Sequence, residues 1–145
     1  MAEGESRYLR LELVAPAGPV YTGDVEMVVL PTVTGELGIL PRHAALVAHL
    51  VIGRLRALSD GEWLVFAVSE GFVKVQFDKV IVLADTAEEA RKIDIPRAEN
   101  AIERATARLD MYRQGTVPEG EQVDPFREQL ALRRARNRLK VAETA

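Results

Sequence analysis

The chain has 145 residues, the size of one large domain or two small ones, and enough to bury a core without a disulfide or metal staple. It holds no cysteine and only two histidines, which excludes thiol catalysis, thiolate metal sites and disulfide frameworks and leaves little for a histidine-rich metal centre. The net charge of −3 does not suit a nucleic-acid-seeking surface, no run approaches the roughly 20 apolar residues that span a bilayer, and Met1 to Arg10 lacks the apolar centre of a signal peptide.

Up to about Asp85 the pattern is that of strands. Leu9, Leu11 and Leu13 alternate with Arg10 and Glu12, Val25, Met27 and Val29 run up to Pro31, and Val73, Val75 and Phe77 alternate with Lys74 and Gln76. Alternation places every second side chain on one sheet face. Trp63 to Val68 and Val80 to Leu83 are near-continuous apolar runs, which predicts strands covered on both faces. Between them lie turn residues, notably Asp60-Gly61, whose glycine supplies the positive φ of a tight hairpin. Many short strands at this spacing predict a sandwich or barrel.

After Asp85 the period turns helical. Thr86-Ala87-Glu88-Glu89 fits a capping box. Pro96 belongs in a first turn, so the long helix is predicted to start at Asp94 as N-cap. Ile95, Ala98, Ile102, Ala105, Leu109 and Tyr112 then form one apolar stripe. Gln114 to Gly120 reads as a loop. A second helix is predicted from about Pro125, with Leu132, Ala135, Leu139 and Ala142 as its stripe and Phe126 and Leu130 nearby. Facing stripes make an antiparallel hairpin. The reading is therefore mainly β plus α: a sandwich domain over 1–87 and a helical hairpin over 88–145. Alanine-rich stripes bury little area, so the hairpin is held shut only marginally by its own packing.

Charge divides at the same place. Residues 1–87 carry 7 basic and 11 acidic side chains, against 12 and 11 in 88–145. The sequence has no Walker loop, no nucleophile elbow and no His-Glu-x-x-His pair. His43, His49 and Ser69 make no catalytic set, so the chain does not read as an enzyme.

Two features remain open on the residues alone. Gly35-Glu36-Leu37-Gly38-Ile39-Leu40-Pro41 is either a strand connection with its aliphatic residues in the core or an exposed docking loop. Arg97, Arg104 and Arg108 share one face of the first helix, and Arg134 and Arg138 lie one turn apart on the second. They form either a solvated face paired to Glu99, Glu103 or Glu128, or a phosphate-binding cluster at the hairpin seam.

Together, these residues resemble one family, the epsilon subunit of bacterial F-type ATP synthase. The resemblance runs from about residue 8 to 143. It rests on Pro16-Ala17-Gly18-Pro19-Val20-Tyr21, Asp24-Val25-Glu26, the glycine-rich segment at 35–41 with His43-Ala44, Ala67-Val68-Ser69, Gly71-Phe72 and Val82-Leu83-Ala84-Asp85. It implies a ten-stranded β-sandwich followed by the helical hairpin. It further implies a non-catalytic rotor subunit that binds the gamma subunit and the c-subunit ring, peripheral to the cytoplasmic face of the cell membrane and not inserted in it. Glu36, Leu37, Arg42 and His43 match the contact loop for gamma and the c-ring. The extended hairpin would block ATP hydrolysis by reaching the alpha and beta subunits, with Arg133, Arg134, Arg136 and Arg138 meeting acidic residues of beta. No nucleic acid and no covalent cofactor are implied.

Some members of the family bind ATP, with or without magnesium, through an Ile/Leu-Asp-x-x-Arg-Ala motif. The match here is Ile93, Asp94, Arg97 and Ala98, with Glu88 upstream and Arg104, Arg134 and Arg138 beyond. The resemblance makes these the ATP site, as a regulatory and not a reacting ligand. The alternative is a structural coupling subunit whose hairpin binds no nucleotide. The chain departs from the usual pattern at Arg42 and Glu70, both commonly glycine, at Ala45, often proline, at Pro96, and in a longer loop over 115–120.

Overall fold

The computed structural model describes residues 7–145. The first six residues of the N-terminal stretch read for a signal peptide lie outside the described residues. Ten strands are followed by a short 3-10 turn and two helices. They are β1 (Leu9–Ala15), β2 (Gly18–Val25), β3 (Met27–Thr32), β4 (Gly35–Ile39), β5 (Leu46–Leu50), β6 (Gly53–Ser59), β7 (Glu62–Val68), β8 (Gly71–Gln76), β9 (Lys79–Ala84) and β10 (Ala87–Glu89). The turn is Ala90–Lys92, and the helices are α1 (Ile95–Gln114) and α2 (Pro125–Ala142).

The strands form one continuous path, β10-β7-β6-β3-β5-β8-β9-β1-β2, with β4 also paired to β3. One pairing, Thr32 with Leu50, joins its two halves. On one side lie β10, β7, β6, β3 and β4; on the other lie β5, β8, β9, β1 and β2. The inward residues of both halves fill one core, which includes Leu9, Leu11, Leu13, Val28, Leu30, Ile39, Leu55, Phe66, Val73 and Val82. This is the expected ten-stranded sandwich.

Several alternations behave as the sequence predicts. Leu9, Leu11 and Leu13 are buried, and Asp60 and Gly61 both take positive φ, 50° and 79°, in the β6–β7 hairpin. Others are corrected. A break at Glu26 resets the phase, so Val28 and Leu30 fill the core while Met27 is half-buried. Phe77 is no strand residue: it sits in the β8–β9 turn at φ 50°, 91% exposed. Leu83 is 51% exposed, so β9 is open on its outer face. Thr86-Ala87-Glu88-Glu89 caps no helix. The backbone of Ala87–Glu89 pairs instead with Phe66–Val68 of β7 as an edge strand, and the Thr86 backbone N–H and hydroxyl both donate to Ser69 Oγ, at 2.8 and 2.9 Å.

The helices begin and end on local signals. Asp94 Oδ1 accepts from the Arg97 N–H at 3.1 Å, with Pro96 in the first turn, and Gly115 closes α1 at φ 69°. Asp124 caps α2 in the same way, accepting from the N–H groups of Phe126 and Arg127. The seam is narrower than the predicted stripes. Ala98, Ala105, Leu109 and Ala135 are buried, whereas Ile95, Tyr112 and Phe126 are exposed.

One glycine is required by close approach. A Cβ on Gly71 would lie 1.8 Å from the Leu83 carbonyl oxygen, so β8 and β9 could not keep their register. Gly71→Ala should destabilise the fold by more than about 2 kcal/mol, lowering the thermal midpoint by roughly 5 °C or more. Thermal unfolding followed by circular dichroism checks this; an unchanged midpoint would contradict the register.

Candidate functional site

The site lies where α2 meets the sandwich. The outward side chains of β7 are apolar, and two of them, Val65 and Ala67, are covered. Ala67, Ala90, Ile93 and Val141 form a small second cluster, with Val65 and Ala142 packed against it. That is why the Trp63–Val68 run is apolar on both faces. Polar contacts surround the cluster. Asn137 donates its amide to the carbonyls of Gly53 (2.9 Å) and Val68 (3.4 Å). Arg134 forks onto both carboxylate oxygens of Glu70 and lies 3.7 Å from Asp85. Arg138 pairs with Glu88 at 3.2 Å. The hydrogen bond from Arg134 holds the Glu70 carboxyl below its usual range, against a smaller opposing effect of burial. Arg134 is raised in return, first by its hydrogen bond to Glu70.

Beside this junction is a cleft of about 270 Å3, lined by Glu88, Lys92, Asp94, Arg97, Ala98, Ala101, Arg104 and Arg138. Four cationic side chains from three elements converge there, with two carboxylates. Ala98 and Ala101 leave its α1 wall low. Such a lining suits a ligand with an anionic tail and hydrogen-bonding hydroxyl or amino groups: guanidinium groups take phosphate oxygens through paired donors, and carboxylates accept from hydroxyls.

Of the sequence-predicted ATP residues, Glu88, Asp94, Arg97, Ala98, Arg104 and Arg138 line this cleft. Ile93 does not; it is buried under Val141 in the second cluster. Arg134 does not line it either, being turned to Glu70. Lys92 was not predicted. Its position directly before the Ile93-Asp94 pair was the available signal, but only the 3-10 turn shows that it faces the cleft. Arg104 also borders an adjoining groove of about 560 Å3 with Arg108 and Arg127. Within the hairpin, Arg108 pairs with Glu128 at 2.9 Å, one of the three partners considered for a solvated face. Among the described residues, no group of three or more histidine, cysteine or acidic side chains is placed to hold a metal ion.

The segment at 35–41 is a strand for most of its length. Leu37 and Ile39 pack on the core, while Leu40 is 55% exposed. Glu36 lies 3.6 Å from Arg56. Arg42 takes φ 66°, a conformation suited to glycine, and its N–H meets Asp78 Oδ1 at 2.5 Å. His43 Nδ1 sits 2.7 Å from the Ala44 carbonyl. Leu40, Arg42, His43 and Phe77 are thus gathered at one end of the sandwich. Arg133 and Arg136 are exposed on α2, apart from the docked face.

The family model described as ATP synthase, Delta/Epsilon chain, beta-sandwich domain matches residues 8–90, and that of the long alpha-helix domain matches 91–143. The chain is 48% identical to the ATP synthase epsilon chain of Halalkalibacterium halodurans over 134 residues, 92% of this chain and 96% of the relative. It is 43% identical to that of Desulforamulus reducens over the same length, with the same coverage. Among solved structures, a chain of the Euglena gracilis mitochondrial ATP synthase, OSCP/F1/c-ring assembly has a similar fold, with a TM-score of 0.74 at 21% identity over 99% of this chain and 86% of that one.

The Arg108–Glu128 pair joins the two helices across the seam, and the Glu128 side chain is only 12% exposed. Arg108→Met should therefore strand a desolvated carboxylate and cost the hairpin about 1–3 kcal/mol. Denaturant unfolding measures it, with Glu128→Gln expected to be milder. Equal effects of the two variants would show that burial of the charge is not what matters.

Proposed function

Because the chain belongs to the ATP synthase delta/epsilon chain family, we propose that it is a non-catalytic subunit of the rotor's central stalk whose hairpin regulates ATP hydrolysis by binding ATP. The observation that carries the nucleotide reading is the cleft between sandwich and hairpin. Arg97, Arg104, Arg138 and Lys92 line one space there together with Glu88 and Asp94, Glu88 being paired with Arg138. In this reading the cations hold the phosphates, and the carboxylates accept from ribose and base. No group among them is arranged to cleave the phosphate chain, so the nucleotide is a signal and not a substrate.

Regulation follows from where the cleft is built. Arg138 comes from α2, Glu88 from β10, and Arg97 and Arg104 from α1. A ligand touching all three elements exists only with the hairpin folded. It therefore shifts the population toward the folded form in proportion to its differential affinity. Extended along gamma, the hairpin would present Arg133, Arg134, Arg136 and Arg138 to the alpha and beta subunits and block hydrolysis.

The sandwich supplies the fixed attachment. Val47, Phe72 and Leu83 share the outer face of β5, β8 and β9, at 71%, 52% and 51% exposure. A patch of this kind suits burial against another subunit, here gamma. Glu36, Leu37, Arg42 and His43 would contact the c-ring in this reading. Among the described residues, no helix is long and apolar enough to cross a membrane, and attachment at the cytoplasmic face of the cell membrane would come through the complex.

Titration calorimetry of the full chain with ATP tests the site. Saturable one-to-one heat is expected, weakened about tenfold or more by Arg97→Ala; no heat at millimolar ATP would leave the structural coupling reading. The inhibitory role has its own test. Deleting residues 94–145 keeps the sandwich core and β10, and should raise ATP hydrolysis by the assembled enzyme. Unchanged hydrolysis would contradict it.

A further inference from the structure

We propose that Arg134 is a positioning residue and not a nucleotide ligand: paired with Glu70 and Asp85, it latches α2 to the sandwich and thereby sets Arg138 at the mouth of the cleft. The latch stands on its own geometry; its effect on ATP rests on the function proposed above.

Three observations carry it. First, the guanidinium of Arg134 is already committed. Nε and Nη2 go to the two oxygens of one carboxylate, with Asp85 at 3.7 Å. A bidentate fork of this kind is among the stronger side-chain pairings, and a phosphate would have to break it. Second, the partner is rigidly held. Glu70 accepts the Asp85 N–H on its carbonyl at 2.9 Å and precedes Gly71, which pairs with Ala84 of β9 so closely that a Cβ would not fit. Third, Arg134 and Arg138 are one helical turn apart, about 6 Å along the axis. Asn137, between them, is hydrogen-bonded to Gly53 and Val68. Fixing Arg134 and Asn137 therefore fixes the direction of Arg138.

The two readings predict opposite signs for one substitution. Glu70→Gln removes a negative charge and frees Arg134. If Arg134 were a phosphate ligand, ATP would bind more tightly. If it is a latch, α2 loosens and ATP binds less tightly.

Hydrogen exchange of the full chain without nucleotide is the first arm. Glu70→Gln should speed exchange of the α2 amides by about five- to tenfold, with the sandwich amides unchanged as a check on folding. Arg134→Gln should do the same, and the double variant no more than either alone. A change below about threefold in α2 overturns the latch. Calorimetry with ATP is the second arm. Binding weakened by Glu70→Gln supports the positioning role, and unchanged or tighter binding overturns it. If the wild-type chain takes up no ATP, the cleft reading fails, while the exchange arm still decides the latch.

Discussion

The docking of α2 on β7 depends on very little apolar surface. Val141 is the one large aliphatic side chain of the helix buried there, and it meets Ala67, Ala90 and Ile93. Burial scales with area, so so small a contact cannot by itself hold an 18-residue helix firmly. The remaining attachment is polar and directional: the Asn137 amide on two strand carbonyls, and Arg134 and Arg138 on carboxylates of the sandwich. Ion pairs that are partly open to water contribute modestly and are weakened by salt. The result is a helix with a defined seat and a low cost of leaving it. The cleft depends on that seat, and the regulation proposed above depends on the low cost of leaving it.

The fold was largely legible because both halves carry strong periodicity. Leu9, Leu11 and Leu13, Asp60-Gly61, and the Asp94-to-Gly115 helix each state their local structure in residues that allow few alternatives. The failures have physical causes. Thr86 to Glu89 has the composition of a helix cap, yet a neighbouring strand edge was available to pair with it, which is tertiary information. Val141 lies outside the predicted stripe of α2, because its partners are on β7 and the 3-10 turn, far away in sequence. Phe77 followed the alternation of β8 by one residue too many, since a turn with positive φ begins there.

The site was legible in part. The spacing of Arg97 and Arg104 placed them on one helix face, and the cleft gathers them with Arg138. Spacing could not tell that Arg134, one turn from Arg138, would be taken by Glu70. Nor could it tell that Arg108 would settle on Glu128. The charge arithmetic sharpens in the same way. The sandwich is acidic and the last helix basic, and the two are not merely adjacent: Glu70, Asp85 and Glu88 are sandwich carboxylates facing α2 arginines. An anionic ligand or an acidic partner surface would compete for the same cations. In the proposed function, such competition would let one small helix distinguish two states.

The most direct measurement uses the chain's single tryptophan. Trp63 is 42% exposed and shares a small crevice with Thr144 and Ala145 at the end of α2. Its emission and its accessibility to a soluble quencher therefore report whether α2 is seated. With ATP added to the full chain, the account predicts a saturable shift to shorter wavelength and reduced quenching, as the seated population grows. A shift the other way, or saturable ATP binding that leaves Trp63 unchanged, would contradict the coupling of the cleft to the hairpin.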